Sequence, residues 1–291
     1  MPASCQLPVV TSDSPALTES DYQSLMQTDD ALRFPSRRRL LKALASVASV
    51  MALPKDKARR LASRFLNEAV RVPVIWLEFQ DCTGDTESFI RAAQRQDPLQ
   101  PTVTDPGIVD LLLDVVSVEY HETLMTAAGF RAELCREQMM TRYAGQYLVI
   151  IEGSIPIGAN GAYCTIGGRS ALSIAQSVCA NARAIMTVGS CSANGGLPCA
   201  NPNPSTAKSV LEAMPEYGSK LINIPGCPAN VVNMVSSIVY LVSFGTWPTL
   251  DALKRPTFAY SVKVHDRCFR KGREEAKLFG DAKYLNGGCL K

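Results

Sequence analysis

Five short apolar runs recur through the middle of the chain with room for a helix between them, and this alternation restricts the fold more than any other feature. Val72–Phe79, a run ending near Tyr120, Tyr147–Ile155, Ala184–Val188 and Leu221–Ile224 read as buried strands. Asp105–Val116 is expected to form a helix leading into the second strand. Ser170–Asn181 and Thr206–Ala213 read as helices between later strands, and Val231–Phe244 as a buried helix. Strands joined through helices run parallel, and a parallel sheet must be covered on both faces. An α/β domain is therefore expected over about Val72–Gly245.

On either side of that domain the pattern changes. Met1–Pro35 is rich in Ser, Thr, Asp and Glu without an apolar period, as in an extended leader. Ser36-Arg37-Arg38-Arg39-Leu40-Leu41-Lys42 then precedes the uncharged run Ala43–Pro54, an order similar to a twin-arginine export signal; the start of a basic amphipathic helix is the alternative. The expected organisation is a leader over residues 1–54, a linker helix over 55–71, the sheet domain over 72–245 and a small irregular domain over 246–291. The last has few large apolar side chains, so a metal or a partner surface must help to hold it together.

With 30 basic and 27 acidic residues, and no basic run interleaved with aromatics, nucleic acid is not an expected partner. No stretch reaches the roughly 18 apolar residues needed to span a bilayer. The ten cysteines are too sparse for a disulfide scaffold and many for a reduced cytosolic protein, so metal ligation is the reading to test. Cys135 and Cys179 lie inside apolar helical stretches and read as small core residues.

Three other cysteines follow strands directly: Cys82, Cys191 and Cys227. In parallel sheets ligands collect beyond the carboxyl ends of the strands, so these three are expected on one rim. Cys82 sits in Asp81-Cys82-Thr83-Gly84-Asp85, where Asp85 is placed on the same side of a first helical turn. Small residues surround Cys191 in Gly189-Ser190-Cys191-Ser192, and prolines surround Cys227 in Pro225-Gly226-Cys227-Pro228. Three thiolates and a carboxylate suit an iron-sulfur cubane, and zinc would accept the same set. His265, Cys268 and Cys289 form a second set suited to zinc or to a cluster with one histidine ligand. His121 reads as a structural or hydrogen-bonding histidine, and Glu87 as a carboxylate favoured by a helix start.

With these residues in place, the chain resembles the small subunit of nickel-iron hydrogenases over most of its length. The resemblance is carried by Trp76-Leu77-Glu78, Cys82-Thr83-Gly84-x-Thr86-Glu87-Ser88-Phe89, Tyr120-His121-Glu122-Thr123-Leu124-Met125, Glu152-Gly153-Ser154-Ile155-Pro156, Val188-Gly189-Ser190-Cys191, Pro225-Gly226-Cys227-Pro228 and His265-x-x-Cys268. It implies a flavodoxin-like, doubly wound parallel sheet holding a proximal [4Fe-4S] cluster, followed by a small irregular cluster-binding domain. Electrons from H2 oxidation at the nickel-iron centre of a large partner subunit would pass along the clusters to a membrane or soluble acceptor, linked to a cytochrome or quinone.

By position, Cys82, Cys191 and Cys227 match proximal ligands, and His265, Cys268 and Cys289 match three of the four ligands of a distal [4Fe-4S] cluster. Two departures stand out. Asp85 occupies the place of a fourth proximal cysteine, as in some oxygen-insensitive hydrogenases; the alternative is that Cys199 or Cys164 supplies the thiolate and Asp85 caps a helix. The sequence also lacks the cysteines for a medial [3Fe-4S] or [4Fe-4S] cluster and the last distal ligand, which reads as a truncated C-terminal end. An exported or membrane-associated protein on the periplasmic side is expected, with a cytoplasmic one as the alternative. The competing functions are an iron-sulfur subunit of a related quinone oxidoreductase, or a docking protein that binds zinc or relays no electrons.

Overall fold

The computed structural model describes residues 37–67, 71–92 and 116–290. The leader expected over Met1–Pro35 lies outside these residues, as does the helix expected from Asp105 apart from Val116, which already belongs to a strand. Five strands, β1 (Val72–Glu78), β2 (Val116–His121), β3 (Leu148–Glu152), β4 (Ala184–Val188) and β5 (Leu221–Ile224), form one sheet in the order β2-β1-β3-β4-β5. Every pairing in it is parallel. That is the flavodoxin-like doubly wound order, whose chain reverses direction across the sheet between β1 and β3.

Side chains alternate along each strand and so feed two cores. Val72, Val74 and Trp76 of β1 pack with Leu148 and Ile150 of β3, Ala184 and Met186 of β4, and Ile222 and Ile224 of β5. Four helices contribute to this face: α1 (Arg37–Val50), α2 (Lys55–Asn67), α3 (Gly84–Ala92) and α7 (Val231–Phe244). On the other face Ile75, Leu77, Tyr147, Val149, Ile151 and Ile185 pack against α4 (Phe130–Arg142) and α5 (Ala171–Ala180). Cys135 on α4 and Cys179 on α5 are both buried.

Two sequence expectations need correction. The strand expected over Tyr147–Ile155 ends at Glu152, where the chain turns at Gly153, and Ile155–Pro156 pairs antiparallel with Ala207–Lys208 instead. That pairing takes residues from the helix expected over Thr206–Ala213, which is reduced to Val210–Ala213. Ser209 starts it with a capping box: its hydroxyl accepts from Glu212 N, and the Glu212 carboxylate accepts from Ser209 N. Beyond Trp247, no helix among the described residues exceeds four residues, and the only pairings there are isolated bridges.

Candidate metal centres

All three strand-end cysteines sit at the carboxyl edge of the sheet. Cys82 follows β1; Cys191 lies in α6 (Gly189–Asn194), which begins as β4 ends; and Cys227 follows β5. All three thiols are free, with Cys82 and Cys227 exposed and Cys191 half-buried. Burial raises the pKa of the Cys191 thiol, and negative charge on Cys82, Cys227 and Asp85 raises it further, so the four groups share one neighbourhood.

Asp85 reaches that neighbourhood by a route different from the one expected. Cys82 precedes α3, in a turn where Thr83 takes a left-handed backbone, while Asp85 belongs to the first helical turn. The Asp85 carboxylate is buried, and its Oδ1 accepts from Ala229 N at 2.5 Å. Asp85 thus joins the Cys82 turn to the Cys227 loop. Gly189 completes the contact. Its φ is +85°, and a Cβ there would overlap the carboxylate, with Asp85 Cγ at 2.9 Å. Gly196 plays the same part for Cys191: a Cβ on it would lie 2.6 Å from the Cys191 sulfur. The loops are closed by Ser190, whose backbone N–H and hydroxyl both donate to the Gly226 carbonyl, at 2.6 and 3.1 Å.

Under this rim lies a buried polar network that joins the start of α3 to the ends of β1, β2 and β3. Glu152, at the end of β3, caps α3: its Oε1 accepts from Asp85 N at 3.0 Å, and its Oε2 accepts from Thr86 N at 3.0 Å and Thr86 Oγ1 at 2.6 Å. The Thr86 hydroxyl proton is thereby committed, so at 3.2 Å the His121 Nε2 must be the donor to Thr86 Oγ1. Nδ1 is then free to accept from Thr123 N at 3.3 Å. Burial pushes His121 down to about 4, in keeping with this neutral tautomer, and bears out a hydrogen-bonding role.

Oxygens of Glu78, Asp81 and Glu152 approach within 4.8 Å of one another. Burial and then mutual repulsion push Asp81 up to about 7, and burial and then Glu78 push Glu122 up to about 8. Burial also raises Asp85, to about 6, against the lowering effect of the Ala229 N–H. Carboxyls with such values can take up and release protons near neutral pH. The available signal was an acidic residue at the end of an otherwise apolar strand, as at Glu78 and Glu152.

Of the two competing cysteines, Cys199 packs against Gly195 at the end of the helix that carries Cys191. Cys164 faces the charges of Glu122 and Asp81, and burial raises its thiol to about 11. A side-chain N–H of Asn203 donates to the Cys199 sulfur at 3.7 Å.

Two members of the second set, His265 and Cys289, come together in the C-terminal region. His265 lies in a single turn, Val264–Arg267, and the Cys268 N–H donates to the His265 carbonyl at 3.3 Å. Cys289, twenty-one residues further along, is buried and brings its sulfur to 3.7 Å from His265 Nδ1. Backbone bonds tie it in, from Cys289 N to the Glu274 carbonyl and from Ala276 N to the Cys289 carbonyl, both at 2.8 Å. Arg270 clips the same segment, donating to the carbonyls of Tyr284 and Gly288 at 3.0 Å each, with its guanidinium 4.1 Å from the Tyr284 ring centroid.

Residues 82–241 match the family described as NADH ubiquinone oxidoreductase, 20 Kd subunit, and the chain belongs to it. Within that wide group the relatives are narrower. The Hydrogenase-2 small chain of Escherichia coli K12 is 38% identical over 88% of this chain and 66% of its own length. The quinone-reactive Ni/Fe-hydrogenase small chain of Wolinella succinogenes is 38% identical over 87% of this chain and 69% of its own. The chain belongs to the small-subunit family of nickel-iron hydrogenases. Solved relatives of this small subunit include the NiFeSe hydrogenase of Desulfovibrio vulgaris Hildenborough, at 29% identity and a TM-score of 0.62 over 76% of this chain and 80% of that one. The chain thus spans about two thirds of the length of the hydrogenase small chains it matches.

Proposed function

We propose that this chain is the electron-transferring subunit of a nickel-iron hydrogenase, with Cys82, Asp85, Cys191 and Cys227 holding a proximal [4Fe-4S] cluster and His265, Cys268 and Cys289 supplying ligands to a distal one. The observation that carries this reading is the convergence of three free thiols and a buried carboxylate on one rim, in loops where Gly189 and Gly196 leave the donors room. Soft thiolates in that number suit iron and sulfide. When bound, such clusters supply one-electron oxidation and reduction. The chain's own residues set the conditions: Glu152 holds Thr86 and the start of α3 in place, and Ala229 N holds one oxygen of Asp85.

H2 oxidation would occur on a large partner subunit bearing the nickel-iron centre, and electrons would leave to a cytochrome- or quinone-linked acceptor. The division into leader, linker, sheet domain and C-terminal cluster domain belongs to this reading, as does export through the arginine segment. No described helix is long and apolar enough to cross a membrane.

Cys199 and Cys164 compete with Asp85 for the fourth position. Asp85 is favoured because it is among the charges acting on Cys191, whereas Cys164 faces Asp81 and Glu122. The test is iron content and EPR of the subunit produced with its large partner. Asp85→Ala is expected to lose or convert one cluster, and Asp85→Cys to retain it at a lower potential, thiolate being the more electron-donating ligand. Unchanged iron content and spectrum in Asp85→Ala would exclude the aspartate ligand. A colourless protein containing zinc would exclude the electron-transfer reading altogether.

A further inference from the structure

The stretch that resembles an export signal is packed into the core of the folded domain. Leu44 and Val47 on one face of α1, and Met51 directly after it, are 2%, 0% and 7% exposed, and Leu61 of α2 is 0% exposed. They share a core with Trp76 of β1 and with Met234, Val235 and Ile238 of α7. Residues between them, Ala45, Ser46, Ser49 and Val50, face outward. The basic residues after the apolar run are also engaged, with Lys57 Nζ 6.0 Å from the Tyr240 ring centroid and the Arg60 guanidinium 5.6 Å from that of Phe244. Ala52 (φ 48°) and Pro54 separate the two helices, so α1 can leave while α2 stays.

We propose that α1 is a latch: docked on the α7 side of the core it withholds its apolar stripe, and undocked it presents a basic amphipathic helix to an anionic lipid surface. Two features support the second state. Arg37, Arg38, Arg39 and Lys42 lie at the start of α1 and no acidic residue falls within the helix, the charge pattern of a helix that settles at an anionic interface. The stripe Leu44, Val47, Met51 would be buried in either state, so docking and lipid binding compete for the same side chains. This inference stands apart from the cluster assignments and does not depend on them.

The test uses the full chain produced with its large partner. In hydrogen-exchange mass spectrometry the amides of Leu44–Met51 are expected to be protected together with those of α7, roughly 100-fold or more over a free helix. Free-peptide exchange rates there would overturn the docked state. The Val47→Asp variant is expected to lose this protection while β3 to β5 keep theirs; retained protection would overturn the assigned contact. To undock α1 without altering its own sequence, Met234→Ala/Ile238→Ala, in the core that α7 shares with Leu44 and Val47, is compared with the unmodified chain in flotation with phosphatidylglycerol vesicles. Binding at least about tenfold stronger in the variant, and absent on phosphatidylcholine vesicles, supports the latch. Equal binding by the two proteins, or binding by neither, overturns it.

Discussion

The two cysteine-bearing regions are built in opposite ways. On the rim, each donor follows a strand whose residues are almost all buried, and the loops are tied to one another by Ser190, Asp85 and Glu152. In the C-terminal region, His265 rides on a four-residue turn, Cys268 on its extended end and Cys289 on an isolated bridge to Glu275, while Val264, Phe269, Leu278, Phe279 and Leu285 are each more than 70% exposed. A sheet orders donors before anything binds; a segment with so little core relies on its ligand or on a covering surface for order.

The sharpest way to break that contrast is removal of iron. Amides of Val264–Leu290 are expected to exchange roughly 100-fold faster in the metal-free protein, an opening within the usual range of local unfolding energies, while those of β3 to β5 remain protected. Equal loosening of both regions, measured by hydrogen exchange, would show that the rim is no better ordered in advance than the turns.

Glycines give a second, smaller measure. Gly189 and Gly272 have similar left-handed backbones, with φ of +85° and +80°, but a Cβ at Gly189 would strike Asp85 whereas one at Gly272 meets nothing within 4 Å. Gly272→Ala should cost only the conformational term, about 1 kcal/mol. Gly189→Ala adds the clash and is expected to cost about 3 kcal/mol in urea unfolding, with a changed proximal EPR signal. Equal costs would mean that Asp85 is free to move aside.

The smallest effect concerns pH. Glu122 has a folded pKa of about 8 against an ordinary 4.5, so the folded state holds the proton more tightly. Its contribution is fully present below about 4.5 and is lost as pH rises through about 8. His121, held near 4 against an ordinary 6.5, works in the other sense: its contribution is present above 6.5 and is lost as pH falls through 4. Between pH 6.5 and 8 the Glu122 trend is therefore free of His121, and Glu122→Gln should flatten the decline in unfolding midpoint. An unaltered slope would assign the decline to Asp81 or another group.

Much of this arrangement was legible in the chain. Ala184–Val188 and Leu221–Ile224 have the strand boundaries read from the sequence, and Val231–Phe244 is the buried helix expected, because continuous apolar runs bounded by Gly and Pro admit few readings. The Thr206–Ala213 helix was misread because its first residues pair with Ile155–Pro156, a partner fifty residues away that no local pattern announces. The network of Glu78, Asp81, Glu152 and His121 was only hinted at by acidic residues closing apolar strands, since its members come together from the ends of three different strands.

What the sequence determined by itself was the type of sheet, the order of strands and turns, and which thiols follow strands, all of them consequences of short-range periodicity and turn chemistry. Only the tertiary structure decided that Asp85 stands among those thiols, that Glu152 holds the helix bearing it, and that the arginine-led helix packs one face against the core. Those are contacts between residues far apart in the chain, and they exist only once burial has brought the elements together and left each polar group to find a partner.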